Sequence, residues 1–110
     1  MEYTIKKLGD LAGISTRTLR YYDEIGLLIP SRINSSGYRI YGQSQVDKLQ
    51  QIMFYRELGV ELDIIKEILT SKSFDKVTAL QEHHRKLLKK REQIDILIRN
   101  IEKTIDHQKG

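Results

Sequence analysis

The chain of 110 residues contains no cysteine. Because thiolates bind structural zinc and form disulfides, this absence excludes thiolate zinc sites, disulfides and thiol redox switches. No apolar stretch approaches the roughly 18 residues that a membrane-spanning helix needs, and the first residues lack the apolar run of a signal peptide. We therefore expect a cytoplasmic protein with no membrane partner.

The composition favours a soluble, largely helical protein with one modest core. Hydrophobic residues make up 39% of the chain and charged residues 31%, with a formal net charge of +4. These proportions are typical of a globular domain rather than of a disordered chain. A mild basic excess permits nucleic-acid binding without requiring it.

Residues 4–24 have the pattern of two short helices joined by a turn. Thr4 is a suitable N-cap for the first helix, and apolar residues follow at helical spacing until Gly13 interrupts them. Ser15 is a suitable N-cap for the second helix, whose backbone N–H groups would offer donors to a phosphate. Two short helices around a glycine turn predict a helix-turn-helix.

The second helix of this motif has an exposed face suited to DNA. If Leu19 faces the core, the rotation of about 100° per residue turns Arg17 and Tyr21 to solvent, with Thr18 and Arg20 on the flanks. Arginine forms bidentate hydrogen bonds with phosphate or guanine, and hydroxyl groups bind phosphates. The alternative is that these side chains are ordinary surface residues.

The next segment predicts a β-hairpin wing over 32–41. A polar run at 34–37 separates 32–33 from the β-prone residues 38–41. Strand alternation would place Arg39 and Tyr41 on one face, so that at least one basic or phenolic group faces outward. A basic hairpin of this kind fits beside the groove that a recognition helix enters.

Two supporting helices are predicted at 44–58 and 62–71. Ser44 is the expected N-cap of the first, with Asp47 near its positive end, and Gly59 is its expected stop. Their apolar stripes indicate a role in the core, although Arg56 and Lys66 could also reach phosphates.

A long helix over 75–107 has the seam of a coiled coil. Its seam positions alternate in steps of four and three, and two of them, His84 and Arg91, are polar. Such a helix needs a second copy or a further domain to cover its seam, and we interpret it as a homodimer contact. The predicted dimerisation residues are Leu80, His84, Leu87, Arg91, Ile94, Ile98, Ile101 and Ile105.

Taken together, these segments resemble the MerR family of bacterial transcription regulators over essentially the whole chain. The resemblance rests on Tyr3 to Ser15, Arg17 to Leu28, Gly37 to Tyr41, and Leu58-Gly59 before a Leu-x-x-Ile-Lys-x-Ile-Leu helix. It implies a mainly α fold, with a winged helix-turn-helix domain over 1–71 followed by a dimerisation helix that forms an antiparallel coiled coil.

The resemblance also implies roles for individual residues. In the family, the second helix of the motif enters the major groove, and tyrosine and arginine of the wing grip the DNA backbone. With the helix N-terminus included, the candidate DNA-binding residues are Ser15, Thr16, Arg17, Thr18, Arg20, Tyr21 and Tyr22 on the helix, and Tyr38, Arg39 and Tyr41 on the wing.

Family members bind a pseudo-palindrome in a promoter whose elements are too far apart, and they activate by bending and untwisting that DNA. The implied partners are double-stranded promoter DNA, a second copy of the chain and, through the shared promoter, RNA polymerase. No effector domain or cofactor site is visible in these residues. We therefore expect the DNA-binding and dimerisation portion of a longer regulator, which would meet a small-molecule inducer only through a missing C-terminal domain.

Other functions remain open at this level. The chain could be an architectural or recombination-accessory winged-helix protein, or a coiled-coil adaptor that binds no DNA. An enzyme is the weakest alternative, because the sequence contains no nucleophile–base arrangement, glycine-rich phosphate loop or ligand cluster.

Overall fold

The computed structural model describes all residues 1–110 as two compact units, Met1–Lys72 and Ser73–Gly110. The first unit is helical with a small sheet, and the second contains one long helix. The predicted fold class, mainly α with a small β wing and a long C-terminal helix, is confirmed. In chain order the elements are β1 Tyr3–Thr4, α1 Ile5–Ala12, α2 Thr16–Glu24, β2 Arg32–Ile33, β3 Arg39–Tyr41, α3 Gln43–Glu57, α4 Leu62–Thr70 and α5 Lys76–Lys109.

Both predicted N-caps of the helix-turn-helix are confirmed. The hydroxyl of Thr4 accepts a hydrogen bond from the Lys7 backbone N–H at 3.2 Å, and that of Ser15 accepts one from the Thr18 N–H at 3.0 Å. Gly13 ends α1 in the left-handed conformation, with φ of 71°, which a side chain would disfavour. The turn thus forms where the glycine allows it.

A second glycine, Gly9, sets how closely the two helices approach. It is buried in α1, and its carbonyl accepts a hydrogen bond from the Ile14 N–H at 3.0 Å. A Cβ atom added to Gly9 would lie 2.7 Å from the Ile14 carbonyl oxygen. Only glycine fits there without a shift of the backbone.

The sheet has three strands in the order β1-β3-β2, all antiparallel. β3 lies in the centre, where Tyr41 pairs with Tyr3 of β1 and Arg39 pairs with Ile33 of β2. The β2-β3 hairpin is the predicted wing, and its turn is held by the Asn34 side chain, which accepts from two backbone N–H groups. The sequence did not predict β1, because two residues are too few to show strand alternation.

The core of the first unit brings all its helices and the sheet together. Its completely buried side chains come from α1, α2, the α2-β2 loop, β3, α3 and α4. They are Leu8, Leu19, Leu27, Leu28, Tyr41, Ile52 and Ile65. This packing fixes α2 against the wing, which positions the site described below.

The predicted start of α3 was wrong. Gly42, not Ser44, is the N-cap, and its N–H donates to the Gln45 side-chain oxygen at 2.8 Å. This hydrogen bond, accepted by the Gln45 side chain, therefore fixes the start of the helix without a hydroxyl cap. At the other end, the Gly59 N–H donates to the Arg56 carbonyl, so the predicted stop is confirmed.

The second unit is the helix α5, which begins after Asp75. The Asp75 carboxylate accepts from the Thr78 N–H at 3.0 Å and from its hydroxyl at 2.6 Å. No residue of α5 is buried within this single chain. None of the helices in the protein is both long enough and apolar enough to cross a membrane.

Candidate nucleic-acid interface

The outer face of α2 presents the side chains that its periodicity predicts. Arg17, Arg20 and Tyr21 are exposed, and Thr18 is half-buried, while Leu19 has no exposed surface. Tyr21 keeps 49% of its surface exposed although it is aromatic. This face therefore offers two cations and hydroxyl groups without any apolar cluster of its own.

The start of α2 is organised by its cap. The Ser15 hydroxyl, besides accepting from the Thr18 N–H, lies 3.0 Å from the Thr18 hydroxyl. The Ser15 hydroxyl is thus used to cap the helix. An anionic ligand could bind instead to the backbone N–H groups that have no partner within the helix at its N-terminus.

An open groove joins α2 to the wing. We call it the wing groove; its volume is about 610 Å³, and it is lined by Thr4, Ile5, Lys6, Asp10, Thr16, Arg20, Tyr38 and Arg39. Four predicted DNA-binding residues, Thr16 and Arg20 from α2 and Tyr38 and Arg39 from the wing, thus meet on one concave surface. Three of its side chains are cationic and one is acidic.

Arg39 does not project freely from the wing. Its Nε donates to the Asp23 carboxylate of α2 at 2.8 Å, and both side chains are mostly shielded, with 30% and 23% exposed. This hydrogen bond raises the pKa of the Arg39 guanidinium, which therefore stays charged. The wing and α2 are tied together by this ion pair.

Two of the predicted DNA-binding residues do not reach the surface. Tyr22 is 4% exposed and Tyr41 is completely buried, so neither ring has surface for DNA, and we remove both from the candidate set. Strand alternation places Tyr41 on the opposite face from Ile40, but the end of β3 enters the core, which buries both side chains. The Tyr41 hydroxyl has no hydrogen-bond partner, and burial raises its pKa.

Sequence reasoning missed three charged residues at this surface. Lys6 and Asp10 line the wing groove, and Asp23 holds Arg39. Lys6 and Asp10 lie there because β1 pairs with β3 and places the start of α1 beside the wing, which no local pattern indicated. Nowhere in the chain do three or more His, Asp or Glu side chains form a group that could bind a metal ion.

The predicted seam of α5 is largely exposed in the single chain. Ile94, Ile98 and Ile105 keep 46–48% of their surface, Leu87 keeps 44% and Ile101 keeps 57%. His84 and Arg91 are exposed as well, and Leu80 is half-buried. Four further apolar side chains of α5 that are not among the predicted seam residues, Val77, Leu88, Ile96 and Leu97, are also exposed.

Comparison with known families agrees with this geometry. The family described as "MerR HTH family regulatory protein" matches residues 3–72, and the one described as "MerR, DNA binding" matches residues 46–107. The chain belongs to the MerR family. This membership confirms the resemblance found in the sequence.

Individual relatives cover this MerR-family chain almost completely. The HTH-type transcriptional activator mta of Bacillus subtilis (strain 168) is 42% identical over 105 residues, which are 96% of this chain and 41% of that protein. The crystal structure of MtaN, the N-terminus of the Bacillus subtilis multidrug transporter activator, superposes with a TM-score of 0.82 at 42% identity, covering 94% of this chain and 97% of that one.

A DNA-bound relative has the same fold. EcmrR, in the cryo-EM structure of its DNA complex in EcmrR-RPo, has a TM-score of 0.89 at 26% identity, covering 97% of this chain and 40% of that one. The MerR-family chain described here thus spans about two fifths of the length of mta and of EcmrR.

Proposed function

We propose that this chain is the DNA-binding and dimerisation region of a transcription regulator that acts as a dimer on pseudo-palindromic promoter DNA. The proposal rests on the wing groove, where Arg20 of α2 and Tyr38 and Arg39 of the wing share one surface. A recognition helix flanked by a basic wing suits a major groove and its adjoining phosphates. Membership of the MerR family supports this assignment, and we propose no enzymatic activity.

Within this surface we assign two kinds of contact. Arg17 is exposed on α2, outside the lining of the wing groove, so we assign it to a base edge. Arg39 sits on the wing and is assigned to a phosphate. The remaining proposed contacts are positioning ones, made by Ser15 through the helix N-terminus and by Thr16, Thr18, Arg20, Tyr21 and Tyr38.

The dimer would form through the α5 helices. Their apolar seam is solvent-exposed in one chain, and a second, antiparallel helix would cover it. The polar seam residues His84 and Arg91 would lower stability but favour one register. A rigid pair of helices would also fix the separation of the two DNA half-sites.

Activation is proposed to work by DNA distortion rather than by recruitment. Bending a site of this size costs on the order of 1–6 kcal/mol, which phosphate contacts from two winged domains must offset. Bending and untwisting the spacer would let RNA polymerase engage both promoter elements. Because the chain spans 41% of the mta activator, we assign inducer binding, of a small organic molecule, to a further domain of a longer protein.

The first experiment identifies the DNA. The purified chain is mixed with fragmented genomic DNA from its source, and the fragments that remain bound at moderate salt are sequenced. We expect a pseudo-palindrome between overlong promoter elements. Recovery of DNA without a preferred sequence would indicate an architectural protein, and recovery of no DNA would indicate an adaptor; either result contradicts the proposal.

The second experiment separates the two kinds of contact on the recovered site. Arg17→Ala should cost about 1–3 kcal/mol on specific DNA and relax the sequence preference. Arg39→Ala should weaken binding to specific and random DNA alike and lower the salt slope by about one. Arg99→Ala, an exposed arginine of α5 away from the seam, is the matched control and should change neither value. Equal losses on both DNAs for Arg17 and Arg39 would refute the division.

The third experiment tests the seam. Ile98→Asp should prevent dimerisation, because it would bury a carboxylate in the apolar part of the seam. Gln93→Asp introduces the same charge on the outer side of α5 and should leave the dimer intact. Light scattering gives the mass of each variant, and a dimeric Ile98→Asp would show that the seam is placed wrongly.

A further inference from the structure

The ion pair between Asp23 and Arg39 joins the two halves of the proposed DNA-binding surface. Asp23 lies in the last turn of α2, and Arg39 is the first residue of β3. The Nε–Oδ2 distance is 2.8 Å, and both side chains are mostly shielded from solvent. By contrast, the Arg32–Glu2 pair is about half exposed, with 53% for each side chain.

The geometry of this contact leaves most of the guanidinium available. Arg39 uses its Nε donor, while its Nη groups make no hydrogen bond to the protein. A guanidinium is planar, so holding one edge on a carboxylate fixes the direction of the opposite edge. Arg39 also lines the wing groove beside Arg20 and Lys6. The Nη edge is thus the part of the side chain that can bind an anion there.

Apart from its contact with Arg39, the Asp23 carboxylate is unfavourable at its position. The C-terminal end of a helix carries partial negative charge, which disfavours carboxylates, and the last turn of α2 contains no basic residue. A carboxylate beside a DNA site also repels phosphates. A residue that breaks a local rule in this way needs a compensating role, and its contact with Arg39 supplies one.

We propose that Asp23 is a positioning residue for DNA binding, which holds the Arg39 guanidinium by its Nε edge so that both Nη groups meet a phosphate at the wing groove. The wing is thereby aligned with the recognition helix before DNA arrives, and Arg39 loses less side-chain freedom on binding than an unrestrained arginine would. This inference rests on the proposed function, because it requires that Arg39 contacts DNA.

The test compares Asp23→Asn with Glu24→Gln in the full chain. Both variants remove one acidic charge from the end of α2. Glu24 is exposed and acts on Arg39 only through its charge, without a hydrogen bond or ion pair. If only charge matters, both variants should bind DNA more tightly. If Asp23 positions Arg39, Asp23→Asn should bind more weakly and Glu24→Gln should not.

The expected size follows from counterion release. One phosphate contact contributes about 0.9 to the slope of log K against log salt, which corresponds to about eightfold in affinity at roughly 0.1 M salt. Fluorescence anisotropy on the recovered duplex, at several salt concentrations, should therefore give up to about eightfold weaker binding per protomer for Asp23→Asn, with a smaller slope. Arg39→Ala should give a similar loss, and the double variant should lose little more.

Two further variants keep the inference testable if Asp23→Asn unfolds. Asp23→Glu retains the carboxylate and should bind between the wild type and Asp23→Asn. Arg39→Lys retains the charge, but lysine has one ammonium group in place of a planar guanidinium with separate Nε and Nη donors. It therefore cannot be held by Asp23 at one edge while another edge faces a phosphate, and this variant should bind DNA more weakly. Circular dichroism checks that each variant is folded.

The outcomes separate the inference from the proposed function. Tighter binding by Asp23→Asn, additive losses in the double variant, or unchanged binding by Arg39→Lys would overturn the role of Asp23 while DNA binding itself stands. A wild-type chain that binds no duplex contradicts the proposed function, and the role of Asp23 falls with it.

Discussion

Replacing Gly9 by alanine tests whether the close approach of α1 to the following turn limits the stability of the first unit. The added Cβ would lie 2.7 Å from the Ile14 carbonyl oxygen, which is a backbone atom and cannot rotate away. The neighbouring Leu19 Cδ1 would be 3.7 Å away, at ordinary contact distance. The strain therefore arises from one contact, and α1 must shift to relieve it.

Two opposing effects decide whether Gly9→Ala raises or lowers the free energy of unfolding. Alanine favours a helix over glycine by about 1 kcal/mol. Overpacking in a well-packed interior costs about 1–3 kcal/mol, and loss of the Ile14 N–H to Gly9 carbonyl hydrogen bond costs about 1 kcal/mol more. We expect Gly9→Ala to lower the free energy of unfolding by about 1–3 kcal/mol, the overlap exceeding the propensity gain.

Urea unfolding followed by circular dichroism measures this change at one fixed protein concentration. For a unit of this size the loss corresponds to a decrease in Tm of at least about 4 °C. Lys7→Ala, at an exposed site of the same helix, is the control and should change stability little. A Gly9→Ala protein as stable as the wild type would refute the argument that the backbone contact requires glycine.

The remaining predictions concern a buried hydroxyl and a helix cap. Tyr41→Phe removes a hydroxyl that has no hydrogen-bond partner, so the free energy of unfolding should rise by up to about 1 kcal/mol and DNA affinity should stay unchanged. Weaker DNA binding at unchanged stability would instead return Tyr41 to the set of DNA-binding residues. Hydrogen bonds from Thr78 lower the pKa of the Asp75 carboxyl in the folded protein. The cap therefore stabilises α5 fully at pH values above the unfolded pKa of about 3.9, and this stabilisation is lost as the pH falls through the lower folded pKa. Asp75→Ala should thus reduce helix content at neutral pH, with a difference that disappears in acid, as circular dichroism would measure; a difference independent of pH would contradict this.

Local sequence signals were sufficient for the helices and for most of their ends. Thr4, Ser15, Gly13 and Gly59 each act through their own side chain or lack of one, and each was assigned correctly. Ser44 was not, because the bond from Gln45 to the Gly42 N–H fixes the start of α3 two residues earlier. Caps of comparable strength compete over one turn, and sequence alone does not rank them.

Features that depend on distant parts of the chain were beyond local patterns. Tyr41 is buried because the end of β3 enters the core, and Asp23 forms its ion pair because β3 brings Arg39 beside α2. Neither feature has a periodicity or a spacing that a reader of the sequence could detect. The sequence therefore predicted four side chains that line the wing groove, Thr16, Arg20, Tyr38 and Arg39. It predicted neither Lys6 and Asp10 in that lining nor Asp23 as the partner of Arg39.

The pairing of β1 with β3 also bears on the order in which the first unit folds. Tyr3 and Tyr41 are neighbours in the sheet, although both helices of the helix-turn-helix lie between them in the chain. Helices close short loops and form quickly, whereas a strand pair this distant must close a long loop before it gains any contact. On a ribosome, α1 and α2 are complete while β1 still waits for its partner. We therefore expect the pairing of β1 with β3 to form after α1, α2 and the short-range β2-β3 hairpin.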